Sequence, residues 1–275
     1  MPIEEQVAAH YGRGGLSASI LSALTKYGKD VEQLATTDLA GADEFHFGWR
    51  QATLWFAGAL NFPADSRVLD IGAGLGGPAR LFAEEHQVNV TGVDLTDEYV
   101  DVATDLTRRC GLSDRATFQQ ANALDLPFPD ASFDGAYTIH VAMNIRDKQR
   151  LFAEIHRILK PGSRFGVYDV MRVADQDIPY PMPWADSDAT SFVGTPEQYR
   201  SWLTTAGFTV ESENDLSDLT REVGRTMSER AAADGPPPLS LHTVMGPATP
   251  QRLGNAMSAL SRGIVAPIGM IAAAA

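Results

Sequence analysis

One stretch limits the fold more than any other: Val68-Leu69-Asp70-Ile71-Gly72-Ala73-Gly74-Leu75-Gly76-Gly77-Pro78. An aliphatic run ends in glycines, and the helix-patterned PARLFAEEH follows at once. Glycine permits positive φ and lets a ligand come close to the backbone. The helix start behind the turn offers free N–H groups and a positive dipole. A strand that turns through glycines into a helix is the first half of a crossover unit, which demands a neighbouring parallel strand.

The chain downstream supplies such strands. VNVTGVD, ATFQQAN, FDGAYTIH and RFGVYDV read as short strands, with the helices EYVDVATDLTRRCG and KQRLFAEIHRILKPG among them. Gly111 is placed to cap the first of these helices, and Pro161 and Gly162 stop the second. The expected class is α/β: a doubly wound, Rossmann-like seven-stranded sheet with N-terminal helices and a lid after the fifth strand. Residues 1–62 are expected to form a helical cap, because SASILSALTKYG and GWRQATLWFAGAL repeat apolar residues at three- and four-residue spacing. LATTDLAGADEFHFG between them reads as a polar stretch. The main domain then covers residues 63–275. Residues 172–195 are too long for an ordinary connection and rich in aromatics, which favours a lid over a disordered insert. TPEQYRSWLTTAGF reads as a helix capped by Thr195, FTVESEND as a strand, and 215–233 and 249–262 as helices. IVAPIGMIA reads as a last strand on the sheet.

Charge narrows the partners. The 275 residues hold 22 basic and 35 acidic side chains, a net charge of −13. Such a surface repels phosphate backbones and anionic lipid, so neither nucleic acid nor membrane is expected as a partner. The single cysteine, Cys110, cannot build a thiolate metal site or an internal disulfide. No leader pattern is visible in MPIEEQVAAHYG, and the apolar IVAPIGMIAAAA falls short of the roughly 20 residues a bilayer needs. A cytoplasmic monomer or homodimer is the expectation.

The glycine spacing alone suits two cofactor classes. Gly72, Gly74 and Gly77 fit the dinucleotide pattern G-x-G-x-x-G, whereas Gly72, Gly74 and Gly76 fit G-x-G-x-G. Asp94, ending the next strand, would accept two ribose hydroxyls in either case. Asp70 before the glycines suits an amino group, and Pro78 removes a backbone donor that a pyrophosphate would want. With NALDLPFPDASFD and RILKPG further on, residues 66–170 resemble the class I S-adenosylmethionine-dependent methyltransferases. Within that family the chain looks most like small-molecule enzymes of the glycine, sarcosine and dimethylglycine N-methyltransferase kind. Sugar and polyketide O-methyltransferases share the same motifs.

The resemblance implies S-adenosylmethionine as cofactor and a small-molecule methyl acceptor. It implies that Gly72, Gly74 and Gly76 pack against the cofactor's methionine part, together with Asp70 and His140. Asp94 would hold the ribose, Leu95 would flank the adenine, and Asn122 and Ala123 would face its edge. Tyr11 and Arg13 would close over the cofactor. Asn122 stands where the family often has Asp.

A neutral amine attacks an activated methyl group unaided, whereas a hydroxyl gains from a base. His140, His46 and Tyr168 are the candidates for that work, with His242 behind them and His156 read as structural. Asn144, Tyr180, Trp184 and Asp188, with Asp186, are candidates for holding the acceptor. Aromatic faces and carboxylates in the lid would suit a cationic amine, which tilts the expectation slightly to nitrogen. Three alternatives remain: O-methylation of a natural-product hydroxyl, a protein that binds the cofactor without methyl transfer, and a nicotinamide-dependent dehydrogenase. No metal is expected in the site.

Overall fold

The computed structural model describes residues 6, 10–11, 14–235 and 237–275. Helices α1 (Leu16–Lys26), α2 (Thr36–Asp43) and α3 (Trp49–Leu60) precede the first strand. Then come β1 (Arg67–Ile71), α4 (Gly77–His86), β2 (Asn89–Asp94), α5 (Asp97–Arg109), β3 (Ala116–Gln120) and β4 (Phe133–Ile139). The chain continues through α6 (Lys148–Ile158), β5 (Leu159–Arg172), α7 (Pro196–Thr205) and β6 (Phe208–Asp215). It closes with α8 (Ser217–Asp234), α9 (Leu241–Met245), α10 (Thr249–Ser261) and β7 (Val265–Ala274).

The strands among the described residues form one seven-stranded sheet in the order β3-β2-β1-β4-β5-β7-β6. β1 to β5 pair in parallel, and β7 runs antiparallel to both β5 and β6. The chain reverses its direction of travel across the sheet between β1 and β4. In an open α/β sheet the crevice at that switch point is where ligands bind.

Both faces of the sheet are covered, and the strand pleat decides which residue meets which layer. Leu69, Ile71, Ala136, Phe165 and Val167 join α6 and α7 in one buried cluster. Val68, Tyr137, Ile139 and Tyr168 join α3 and α4 in the other. Glycines in the strands let α3 sit close. A Cβ on Gly166 would lie 2.5 Å from Phe56, and one on Gly135 would lie 2.2 Å from Phe62. The N-terminal helix α3 thus packs directly on the central sheet.

The 172–195 segment is built into the fold. Ile178, Met182, Trp184 and Ala185 are buried with Phe47, Met143 and the α10 residues Ala256, Ala259 and Leu260. Two helices lie where the periodicity gave no helix. On α2 the buried positions are Thr36, Leu39, Ala42 and Asp43, so half of its inward face is polar and the apolar period is masked. The short α9 follows the proline run and buries Leu241, Val244 and Met245. Among the described residues, no helix is long and apolar enough to cross a membrane.

Candidate functional site

The glycine loop is stitched to β2 by its backbone. Gly72 N and Ala73 N both donate to the Val93 carbonyl, at 2.8 and 3.0 Å. Gly74 N donates to Asp94 Oδ2 at 2.9 Å, and Thr96 N donates to Asp94 Oδ1 at 2.9 Å. Asp94 is therefore oriented by two backbone donors. Burial pushes its carboxyl up, while those donors pull it back.

The glycines face different surroundings. A Cβ on Gly72 would lie 2.3 Å from Val141 Cγ2, and one on Gly76 would lie 2.6 Å from the Phe118 ring. A Cβ on Gly74, where φ is +55°, would meet nothing within 4 Å. Gly74 is thus the glycine whose missing side chain leaves open room.

Arg80, buried in α4, holds the loop from behind. Its Nη2 donates to Asp43 Oδ2 at 2.6 Å and to the Leu75 carbonyl at 2.7 Å. Its Nη1 donates to Thr107 Oγ1 at 2.9 Å. One guanidinium thereby joins α2, the glycine loop and α5.

A cavity of about 740 Å³ opens above these elements. Its floor includes Asp70, Gly72, Gly74, Asp94, Leu95, Asn122, Ala123 and His140. Its remaining wall includes Phe45, His46, Phe47, Met143, Asn144 and Trp184, with Leu241, Val244, Leu253 and Met257 from α9 and α10. Tyr11 also lines it. The expected site residues thus divide. Gly76, Tyr168, Tyr180 and Asp188 are not part of the cavity lining. Gly76 lies against Phe118 and Arg80, and Asp188 is exposed. Arg13 lies outside the described residues.

Several candidates are committed to bonds inside the protein. The Tyr168 hydroxyl donates to the Phe47 carbonyl at 2.7 Å. Its buried phenol is pushed above its ordinary range by desolvation, which makes it a poor proton acceptor. Asn144 Nδ2 donates to the carbonyls of Trp184 (2.8 Å) and Thr190 (3.3 Å), and Asn144 Oδ1 accepts from the Tyr11 hydroxyl at 3.1 Å. Asn144 is the junction of three segments. Asn122 Oδ1 accepts from Leu124 N at 2.9 Å. Asp186 is bound by Arg252 and lies 3.5 Å from His10.

Two histidines face the cavity, with ring centroids 5.8 Å apart. Burial pushes His46 down to about 4, with the bond to the Trp49 carbonyl acting against it. Burial also drives His140 well below its ordinary value, and His46 adds to that shift. Both rings are neutral at pH 7. His140 sits at φ +53°, and its Nε2 is buried with no hydrogen-bond partner among the described residues.

Asp70 tests whether S-adenosylmethionine suits this cavity. The residue is 2% exposed, its Oδ2 has no partner in hydrogen-bond geometry among the described residues, and the nearby Tyr137 hydroxyl favours its ionised form. Burial pushes its carboxyl up to about 8. A buried carboxyl in the cavity floor is suited to the ammonium of the cofactor's methionine part. The open room at Gly74 and the oriented Asp94 carboxylate suit the rest of the cofactor, so the residues present fit the group.

Residues 69–167 match the family described as a methyltransferase domain. The chain is 33% identical over 182 residues to 27-O-demethylrifamycin SV methyltransferase of Amycolatopsis mediterranei (strain S699), covering 63% of this chain and 65% of that protein. Its fold is similar to the [4+2]-cyclase SpnF (TM-score 0.70, 24% identity, 99% and 97% of the two chains). It is also similar to geranyl diphosphate C-methyltransferase from Streptomyces coelicolor A3(2) (TM-score 0.71, 17% identity, 100% and 98%). The chain spans about one third to two thirds of the length of the first curated relatives it matches.

Sheet order and glycine loop define a Rossmann-like methyltransferase fold. Residues 69–167 match a methyltransferase domain, and the residues of the cavity floor fit S-adenosylmethionine as its cofactor.

Proposed function

We propose that this protein transfers a methyl group from S-adenosylmethionine to a hydroxyl of a neutral, mostly apolar small molecule. The observation that carries this reading is the pair of neutral histidines, His46 and His140, set in an otherwise largely apolar wall. A hydroxyl gains from a base, and a free imidazole supplies one. The amine reading needs cationic recognition at the acceptor. Trp184 lines the cavity, as do Asp43 and Asp147, but Tyr180 and Asp188 do not, and Asp186 is occupied by Arg252. The two neutral histidines support oxygen over the slight preference for nitrogen in this reading.

In this reading Asp70, Gly72, Gly74, Asp94, Leu95, Asn122 and Ala123 hold the cofactor. When bound, the cofactor supplies a methyl group already activated on a sulfonium. The protein's part is to exclude water and align the acceptor. Alignment alone is worth roughly 7–11 kcal/mol of barrier. The described residues of the helical cap and 172–195 supply the cover over the site, with Tyr11, Asn144 and Trp184 joining the two. Tyr168 is read as a positioning residue, because its ring lies 5.0 Å from the His140 ring while its hydroxyl is spent on Phe47.

The test is mass spectrometry of the purified protein with S-adenosylmethionine and a pooled panel of apolar phenols, alcohols and amines. Products one methylene heavier, confined to hydroxyls, are expected. Methylation confined to amines would overturn the oxygen assignment. Tight cofactor binding with no methylated product would favour a protein that uses this fold for another reaction, as the [4+2]-cyclase does.

A further inference from the structure

Behind His46 runs a buried chain of polar groups that cofactor binding does not require. His46 Nε2 lies 3.1 Å from the Trp49 carbonyl and 3.0 Å from Thr53 Oγ1. A carbonyl only accepts, so Nε2 carries the hydrogen and Nδ1 carries the lone pair. The Thr53 hydroxyl, having accepted from Nε2, donates to Glu44 Oε2 at 2.6 Å. Glu44 is 1% exposed and Thr53 is fully buried. A buried carboxyl is expensive to keep without a task or a strong partner. The nearest cation, Arg50, stands 3.8 Å from Glu44 Oε1.

We infer that His46 is the base for the acceptor hydroxyl and that Thr53 and Glu44 are positioning residues that take its proton away; this rests on the hydroxyl reading above. The acceptor O–H bond breaks as an Nδ1–H bond forms on His46. With the cofactor bound, the electron pair left on the acceptor oxygen would make its bond to the methyl carbon as the carbon–sulfur bond breaks and its pair stays on sulfur. The Nε2 proton passes to Thr53, and the Thr53 proton passes to Oε2 of Glu44 in its ionised form, the fraction of which grows as pH rises toward 8. One proton moves inward and no group changes oxidation state. After product leaves, the Nδ1 proton goes to solvent and the Glu44 proton returns through Thr53 to Nε2.

The surroundings favour this direction of travel. Burial pushes Glu44 up to about 8, and the neighbouring Asp43 adds to the rise. Thr53, Arg50 and Arg80 pull it back. His46 is held near 4 with His140 and Tyr168 against its ring. A proton placed on His46 is therefore held more tightly on Glu44. His140 is the weaker candidate because no carboxylate is hydrogen-bonded to its Nε2 among the described residues.

The wiring can be tested without the acceptor. Protein labelled with ¹³C-Glu and ¹⁵N-His is bound to S-adenosylhomocysteine and titrated from about pH 6 to 9, with E44Q and H46N assigning the signals. The wild type is expected to show His46 as the Nε2–H tautomer, a Glu44 carboxyl titrating near 8, and a His46 shift that follows it. T53V is expected to abolish that coupling. An Nδ1–H tautomer, or a Glu44 that stays protonated throughout, overturns the inference.

The kinetic arm uses the panel phenol or alcohol turned over fastest. Thr53→Val and Glu44→Gln are each expected to lower kcat about 100-fold, the scale of a lost proton acceptor, with KM within about twofold. Thr53→Ser is expected to restore most of the rate. The wild-type rise of kcat toward pH 8 is expected to vanish in Glu44→Gln. A change below about threefold in both variants overturns the relay. If no hydroxyl in the panel is methylated, the hydroxyl reading fails, while the spectra still decide the wiring.

Discussion

Replacing Arg80 by Met tests how the glycine loop is held. The guanidinium is fully buried, bonded to Asp43 Oδ2, the Leu75 carbonyl and Thr107 Oγ1. Asp43 Oδ1 already lacks a hydrogen-bond partner among the described residues. Without Arg80 the carboxylate, 3% exposed, keeps only the weaker pull of Arg50 and a backbone donor. Breaking a buried pair from one side costs about 3–5 kcal/mol, and Met fills most of the vacated volume, so little of that is cavity. The Leu75 carbonyl sits in the loop that faces the cofactor, so its release should also weaken S-adenosylhomocysteine binding by about tenfold. The deficit should depend on pH. Burial already raises the Asp43 carboxyl, and Arg80 opposes that rise. Without Arg80 the folded value climbs further above the unfolded one. The variant therefore loses stability as pH rises through that value and regains it in acid. Denaturant unfolding at several pH values, with calorimetric titration of S-adenosylhomocysteine, reads both effects. The double variant D43N/R80M should recover at least about 2 kcal/mol, because the orphaned charge is gone. A loss below about 1 kcal/mol for Arg80→Met, or a double variant no better than the single, would refute the reasoning.

Two glycine variants should separate stability from binding. Gly72→Ala drives a Cβ into Val141 at positive φ and should cost about 2–4 kcal/mol in denaturant unfolding. Gly74→Ala meets open space, so it should cost only about 1 kcal/mol of stability while weakening cofactor binding by about tenfold or more. Equal stability losses would contradict the different roles given to the two positions. Asp70 should link cofactor binding to pH. Its raised value lowers the stability of the empty protein as pH climbs from about 4 to about 8, because the folded state holds the proton longer. A bound ammonium favours the ionised form, so affinity should rise toward pH 8. Calorimetry in buffers of different ionisation enthalpy should show nearly one proton released at pH 7. Asp70→Asn should abolish that release, and an unchanged release would remove Asp70 from the ammonium site.

The sequence by itself determined the crossover rhythm, the glycine turn and the acid at the end of β2. Each is a local matter: periods of 2 and 3.6, positive φ, and a strand end beside a helix start. It also carried the capped helix at Thr195, whose hydroxyl accepts from Gln198 N while Gln198 reaches back to Thr195 N. Tertiary structure alone decided that β7 slips between β5 and β6, since register and partner depend on strands far apart in the chain. It alone showed that Tyr168 spends its hydroxyl on Phe47, and that Tyr180 and Asp188 lie away from the cavity while α9 and α10 close it. Helix α2 was hidden for a related reason. Its buried face includes Thr36 and Asp43, polar residues made tolerable only by Glu84 and Arg80 from another helix. The Glu44–Thr53–His46 chain is of the same kind. Three residues spread over ten positions carry no motif, and they become a proton path only when the turn before α3 folds them together inside the protein.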